Sequence, residues 1–323
     1  MKKKILITDR MSFESQLFLE RQGSFEVLKS PHPQDLPLEA LLSCHALLIR
    51  SKTPLTKEIF EKARNLQVVV TMTSGFDHID LQAAQKWGVT VMHTPWAHRE
   101  SAAQLTWSLV MACATKILQA DQQIRLGQWA REPLKGFELA GRVYGVLGLG
   151  RIGTRVAEIA QAFGMKVVAF DPYQEDDVFK YLKVERLGLE EVFHQADIVS
   201  CHVPKTAETR HFLHRHIFKD MPKPIVLVNT CRGSIMEESL LLEALERKWL
   251  LAAAQDTFEV EPLPQDSPLR QAPNLILTPH IGSNTEEALE KASQMAVQKI
   301  VKFFSEGSTS DTLPPKAPWY QEA

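Results

Sequence analysis

The stretch VYGVLGLGRIG, Val143 to Gly153, decides the fold. An apolar run leads into Gly148, Gly150 and Gly153, and a helix is predicted to begin near Arg151. In that setting the glycines permit a tight turn and close approach to the backbone, while the helix amino terminus presents N–H groups to a pyrophosphate. The next apolar run, Lys166–Phe170, ends in Asp171, eighteen residues after Gly153 and near the spacing expected of a carboxylate that receives ribose hydroxyls. A glycine-rich turn with a solvated aspartate is the plainer alternative, but the strand–turn–helix–strand frame favours a dinucleotide. A carboxylate at Asp171 would repel a 2′-phosphate. No arginine follows within Asp171-Pro172-Tyr173, so NAD is expected over NADP.

Outward from this motif, short runs rich in Val, Ile and Leu alternate with helical patterns, which predicts parallel sheets covered on both faces by helices. One series of strands is expected at 4–8, 25–28, 46–49, 67–72 and 89–92, followed by a long helix from about Glu100 to Leu126. A second is expected at 143–147, 166–170, 197–201, 225–228, 251–255 and 275–277. A last helix is signalled by Asn284 as cap, Glu287 three residues on, and an apolar face of Ala288, Ala292, Met295, Ile300 and Phe303 up to Gly307. The proline-bearing remainder reads as a tail over the surface. The fold class is therefore α/β, with two doubly wound Rossmann-like units and a ligand crevice expected between them at carboxyl strand ends.

Bulk properties narrow the function. At 323 residues the chain is long enough for about two domains. Its 44% hydrophobic and 24% charged residues describe a globular protein rather than a disordered one. With 37 basic and 39 acidic residues, the net charge of −2 offers no attraction to a nucleic-acid backbone. The uncharged stretch Ser101–Thr115 is shorter than the roughly 20 apolar residues of a membrane span. Ile5, Leu6 and Ile7 are too short an apolar core for a signal peptide, so a cytoplasmic location is expected. Cys44, Cys113, Cys201 and Cys231 are far apart in sequence, which fits a reducing compartment.

Polar residues that packing does not require follow three later strands. They are Asn229-Thr230-Cys231-Arg232-Gly233, then Asp256-Thr257-Phe258-Glu259-Val260-Glu261-Pro262, then Thr278-Pro279-His280-Ile281-Gly282. An arginine at such a tip can hold a carboxylate with two parallel bonds, and a histidine can pass a proton near neutral pH. A carboxylate beside that histidine would favour the charged ring and decide which nitrogen faces the substrate. Taken singly, each of Arg232, Glu261 and His280 reads as an ordinary loop residue. Their joint occurrence at successive strand ends after a dinucleotide motif favours catalysis.

Together with IRSKTPLT (Ile49 to Thr56), SGFDHIDL (Ser74 to Leu81), FDPY and HVPKTAET (His202 to Thr209), these motifs make the chain resemble the D-isomer-specific 2-hydroxyacid dehydrogenases over about Lys4 to Glu306, and among them the phosphoglycerate dehydrogenases. The resemblance implies Arg232, Glu261 and His280 as catalytic residues. It implies cofactor contacts at Gly148, Gly150, Arg151, Ile152, Gly153, Asp171, Pro172, Val203, Pro204, Thr209, Thr230, Cys231, Arg232, Asp256, His280 and Gly282. Substrate contacts are implied at Arg50, Ser51, Ser74, Gly75, Arg232 and His280, with Lys52 nearby. It further implies a discontinuous substrate domain of residues 1–98 plus 288–323, an NAD-binding domain of residues 99–287, a homodimer and a place in serine biosynthesis. Because the chain ends soon after its last predicted helix, a short form without a regulatory domain is expected.

Two departures bear on the substrate. Phosphoglycerate dehydrogenases commonly carry an arginine where this chain has Thr71, and an asparagine-containing segment where it has Trp96-Ala97-His98. A lost cation and a gained indole favour a less charged or bulkier acid, whereas Arg131 resembles a position that could reach a phosphate. Formate chemistry is disfavoured because Glu261, rather than glutamine, precedes Pro262. His211, His214 and His216 lie among basic residues without metal-ligand spacing, so no metal is expected. An NAD(H)-sensing binding module without turnover is the reading from a different class.

Overall fold

The computed structural model describes residues 2–320. Among them the chain forms two compact units, one holding the chain up to His98 together with the chain from Ser283 onward, the other Arg99–Gly282.

In the first unit five parallel strands, β1 (Lys3–Ile7), β2 (Phe25–Lys29), β3 (Ala46–Ile49), β4 (Val68–Thr71) and β5 (Thr90–His93), lie in the order β2-β1-β3-β4-β5. β3 and β4 are wholly buried, as sheets covered on both faces require. Alternation along the strands divides their side chains between two cores. Ile5, Ile7, Leu48, Val68 and Val70 pack with Ala292, Ala296 and Ile300, while Leu6, Leu47, Ile49, Val69 and Val91 pack with Leu41, Phe60 and Ala83.

The second unit has seven parallel strands: β6 (Val143–Leu147), β7 (Lys166–Phe170), β8 (Glu185–Arg186), β9 (Ile198–Cys201), β10 (Ile225–Asn229), β11 (Leu250–Gln255) and β12 (Leu275–Leu277). Their order is β12-β11-β10-β9-β6-β7-β8. The order reverses between β6 and β9, the switch point at which doubly wound sheets bind ligands. Tyr144, Val146, Val167 and Ile198 form the core with Val156, Ala157 and Ala160, and Trp107 stacks on Tyr144 with centroids 5.1 Å apart.

Every strand expected from the sequence is present within one residue at each end, and β8 is additional because two residues carry no periodic signal. The long helix expected to Leu126 is two helices, Arg99–Thr115 and Ile117–Arg125. Lys116 breaks it by adopting the left-handed region at φ 57°, with Nζ donating to the Pro133 carbonyl at 3.0 Å. The last helix, Glu286–Glu306, is capped by Thr285 rather than Asn284: the threonine hydroxyl accepts from the Ala288 N–H at 3.2 Å. Gly307 closes that helix at φ 66°.

Candidate active site

In the second unit, the residues singled out from the sequence follow β6, β7, β9, β10, β11 and β12, six strands that are contiguous in the sheet. Parallel pairing therefore sets them along one carboxyl edge. Gly148 sits at φ 90°, and a Cβ there would stand 2.8 Å from the His202 backbone. At Gly153 a Cβ would stand 2.0 Å from the Gly148 carbonyl oxygen, so only glycine lets the helix Arg151–Ala162 pack against the turn. Gly150, the helix N-cap, has nothing within 4 Å of its Cβ direction. Open backbone there suits close approach by a ligand, and Arg151 and Ile152 begin the helix whose first N–H groups have no partner within it.

Asp171 is 4% exposed, and its carboxylate braces this turn. Oδ2 accepts from the Leu149 N–H at 2.9 Å, and Oδ1 accepts from the Tyr173 and Gln174 N–H groups at 3.1 and 3.2 Å. Arg186, absent from the sequence reading, reaches back from β8 and donates to the Asp171 and Pro172 carbonyls at 3.2 and 3.1 Å, while pairing with Asp176. An arginine thus stands beside the Asp171 loop after all, arriving from a neighbouring strand, with its guanidinium committed to these acceptors. After β9, Val203 is buried and Thr209 donates to the Pro204 carbonyl at 2.7 Å, stapling the loop. The Tyr173 hydroxyl donates to Glu208 at 2.7 Å and so joins the loops after β7 and β9.

The three candidate catalytic residues come from the tips of β10, β11 and β12, which are adjacent. Asn229 organises the first tip: its Oδ1 accepts from the Cys231 N–H at 3.0 Å and its Nδ2 donates to the Arg232 carbonyl at 2.8 Å. Thr230 shares a 2.8 Å hydrogen bond with Thr106 of the helix Arg99–Thr115. The Arg232 guanidinium donates to the Cys231 carbonyl at 2.7 Å. A Cβ at Gly233 would stand 2.0 Å from the Phe258 carbonyl carbon, so the β10 tip packs on the backbone of the loop that carries Glu261.

Glu261 Oε1 accepts from the Phe258 N–H at 3.0 Å, and Oε2 accepts from His280 Nδ1 at 2.7 Å. Burial works to raise the Glu261 carboxyl, but the bonds from His280 and Phe258 and the charges of His280 and Arg232 outweigh it and hold it below the usual glutamate value. His280 itself has a left-handed backbone, φ 53°, uncommon outside glycine. Asp256 supports that turn from beneath. Fully buried, it accepts from Thr278 Oγ1 at 2.6 Å and from the Ile281 and Gly282 N–H groups, each at 2.9 Å. Burial is the largest influence on its carboxyl and raises it, with these donors and the His280 charge opposing. Its carboxylate is thus engaged in fixing the His280 loop.

A second support was not legible from sequence. His211 hydrogen-bonds through Nε2 to Glu259 Oε1, and the Glu259 N–H donates to Glu238 at 3.2 Å, tethering the Glu261 loop from outside. His214 and His216 lie edge to face with centroids 5.9 Å apart.

In the first unit, Arg50, Ser51 and Lys52 follow β3, while Ser74 and Gly75 follow its neighbour β4. The Arg50 guanidinium is partly buried and has no hydrogen-bond acceptor among the described residues. Burial lowers it, Asp9 acts the other way, and Arg10 lowers it further. Thr71, fully buried, shares hydrogen bonds with Thr73 at 2.6 Å and His78 at 3.0 Å. His98 is pushed down to about 4 by burial, with its bond to the Met72 carbonyl opposing and the Arg50 charge assisting. It is therefore uncharged at neutral pH.

Residues 107–282 match the family model described as "D-isomer specific 2-hydroxyacid dehydrogenase, NAD binding domain". The chain is 39% identical over 300 residues to the D-3-phosphoglycerate dehydrogenase of Methanocaldococcus jannaschii, and this covers 93% of the chain but 57% of that protein's length. It is 33% identical over 309 residues to the glyoxylate reductase of Korarchaeum cryptofilum, covering 94% of the chain and 93% of that protein. D-lactate dehydrogenase from Aquifex aeolicus, solved with NAD and lactic acid, superposes with a TM-score of 0.81 at 28% identity, covering 94% of this chain and 96% of that one. The chain belongs to the D-isomer-specific 2-hydroxyacid dehydrogenase family and carries its NAD-binding domain.

Proposed function

We propose that the chain is an NAD-dependent oxidoreductase acting between a D-2-hydroxy acid and its 2-oxo acid, with 3-phosphoglycerate and 3-phosphohydroxypyruvate as the first pair to test. The observation that carries this reading is the 2.7 Å contact between Glu261 and His280, with Arg232 on the next strand tip lowering the same carboxylate. Residues 148–153 fit a dinucleotide: Gly150 leaves open backbone over a helix amino terminus, and Asp171 closes the neighbouring strand. Bound NADH supplies the hydride. Arg232 holds the substrate carboxylate. Because Glu261 occupies Nδ1 of His280, Nε2 is the nitrogen that donates a proton to the carbonyl oxygen. Arg50, Ser51, Ser74 and Gly75 of the first unit are kept in this proposal as candidates for binding the acid, on the family resemblance of their motifs.

Thr71 favours a second substrate reading. Its buried hydroxyl network stands where a phosphate-binding cation would be expected, which suits glyoxylate or hydroxypyruvate, the acids named for relatives of nearly full coverage. Spectrophotometric assays with NADH and NADPH against 3-phosphohydroxypyruvate, hydroxypyruvate, glyoxylate and pyruvate separate these readings. NADH should be oxidised with at least one of the four, with a higher kcat/KM than NADPH because Asp171 repels the extra phosphate. Preference for NADPH overturns the assignment of Asp171, and silence across the panel favours an NAD(H)-sensing module.

The reading includes a homodimer. The helix Ile117–Arg125 buries none of its residues, and Ile117, Leu118, Ile124, Leu126 and Trp129 are exposed, Trp129 to 81%. A patch of this kind suits self-association. Light scattering should give twice the chain mass, and Ile124→Glu with Trp129→Glu should halve it; an unchanged mass rejects this surface. No described helix is long and apolar enough to cross a membrane. The reading also includes a cytoplasmic location, which four free thiols suit because they fit a reducing compartment.

A further inference from the structure

The carboxyl-terminal segment is tied into the first unit at several points. Thr312 forms an antiparallel bridge with Met92, the Leu313 N–H donates to the Val91 carbonyl at 2.9 Å, and the His93 N–H donates to the Asp311 carbonyl at 3.1 Å. The segment therefore covers the otherwise open edge of β5. Lys299, 7% exposed on the last helix, anchors it by donating to Asp311 Oδ2 at 2.6 Å, to Ser310 Oγ at 2.8 Å and to the Ser310 carbonyl at 3.0 Å.

Both ends of this segment lead to the turn after β4. The His93 ring lies 2.9 Å from the Ser74 carbonyl through Nδ1, and since a carbonyl only accepts, Nδ1 carries the proton. Phe76 stands edge-on to that ring, centroids 6.0 Å apart. From the other side Tyr320 packs on Phe76 at 5.4 Å, and Leu313 joins Phe76 in the same core. From below, Thr73 donates to the Gly75 carbonyl at 2.6 Å. The Ser74–Phe76 turn is thus held by the strand edge that the segment completes and by an aromatic side chain from the segment itself.

We infer that residues 308–320 form a strap that positions the Ser74–Gly75 turn for the substrate, with Tyr320 acting through Phe76 and Asp311 through His93. Tyr320 and His93 are positioning residues: neither is placed against the acid, and each fixes a turn whose displacement would weaken binding of the acid. The inference rests on the assignment of Arg50, Ser74 and Gly75 to the substrate. The strap belongs to the first unit and the glycine turn to the second, so Kd for NADH serves as the control.

The test compares Tyr320→Ala, Tyr320→Phe and Arg50→Gln in the full chain, with KM and kcat for the best acid of the panel and Kd for NADH by fluorescence. Tyr320→Ala should raise KM about three- to tenfold, the range an aromatic pair supplies, with kcat and Kd for NADH near the parent values. Tyr320→Phe, which keeps the ring, should restore KM. A KM change for Arg50→Gln without one for Tyr320→Ala overturns the strap while leaving the substrate assignment standing. Unchanged KM in both overturns the assignment and the strap with it.

Discussion

Replacing His280 by alanine should lower kcat about 10²- to 10⁴-fold while leaving Kd for NADH near its parent value, because the role proposed for the ring is proton transfer. Glu261→Gln should lower kcat less, since the amide can still accept a bond from Nδ1 but brings no charge. The same variant carries a pH signature. Glu261 is held below its ordinary value of 4.5, so its bonded carboxylate contributes stability above that value, and the contribution disappears as pH falls through the lowered one. The melting temperature of Glu261→Gln should therefore lie below the parent's near neutrality and approach it in acid. A His280→Ala enzyme with near-normal turnover would remove the imidazole from the mechanism.

Arg232→Gln should raise KM for the acid and reduce kcat/KM by about 30- to several-thousand-fold, the effect of about 2–5 kcal/mol expected when one partner of a desolvated charge pair is removed. Arg232→Lys should recover only part, because an ammonium cannot reproduce the planar pair of donors. Steady-state kinetics with varied acid at saturating NADH measures both. A change in kcat/KM of less than about threefold would show that the substrate carboxylate is held elsewhere.

The sequence made the sheets legible because strands buried on both faces read as unbroken apolar runs. Leu47, Val69 and Val146 announce themselves by composition alone. Gly148 and Gly153 were legible for a related reason: backbone sits where any side chain would collide, and that need is written as glycine. The break at Lys116 was not legible, since a left-handed lysine leaves no mark in a helical pattern. Nor were Arg186 beside Asp171 or His211 beside Glu259, whose partners lie 15 and 48 residues away. The terminal segment reads as a surface tail because three prolines and few apolar residues give it no periodicity. Its hold comes from edge hydrogen bonds and from Lys299, which pattern analysis does not register. The sequence places Asp256 among the cofactor contacts the resemblance implies; that its carboxylate also holds the His280 loop in place is visible only once the Ile281 and Gly282 N–H groups are located.

The most direct measurement is a structure of the protein with NAD and oxamate, an unreactive mimic of a 2-oxo acid. Oxamate should bind with its carboxylate on the Arg232 guanidinium and its amide oxygen within hydrogen-bond reach of His280 Nε2, while Nδ1 keeps its bond to Glu261. Oxamate bound away from Arg232, or His280 turned so that Glu261 no longer holds Nδ1, would contradict it.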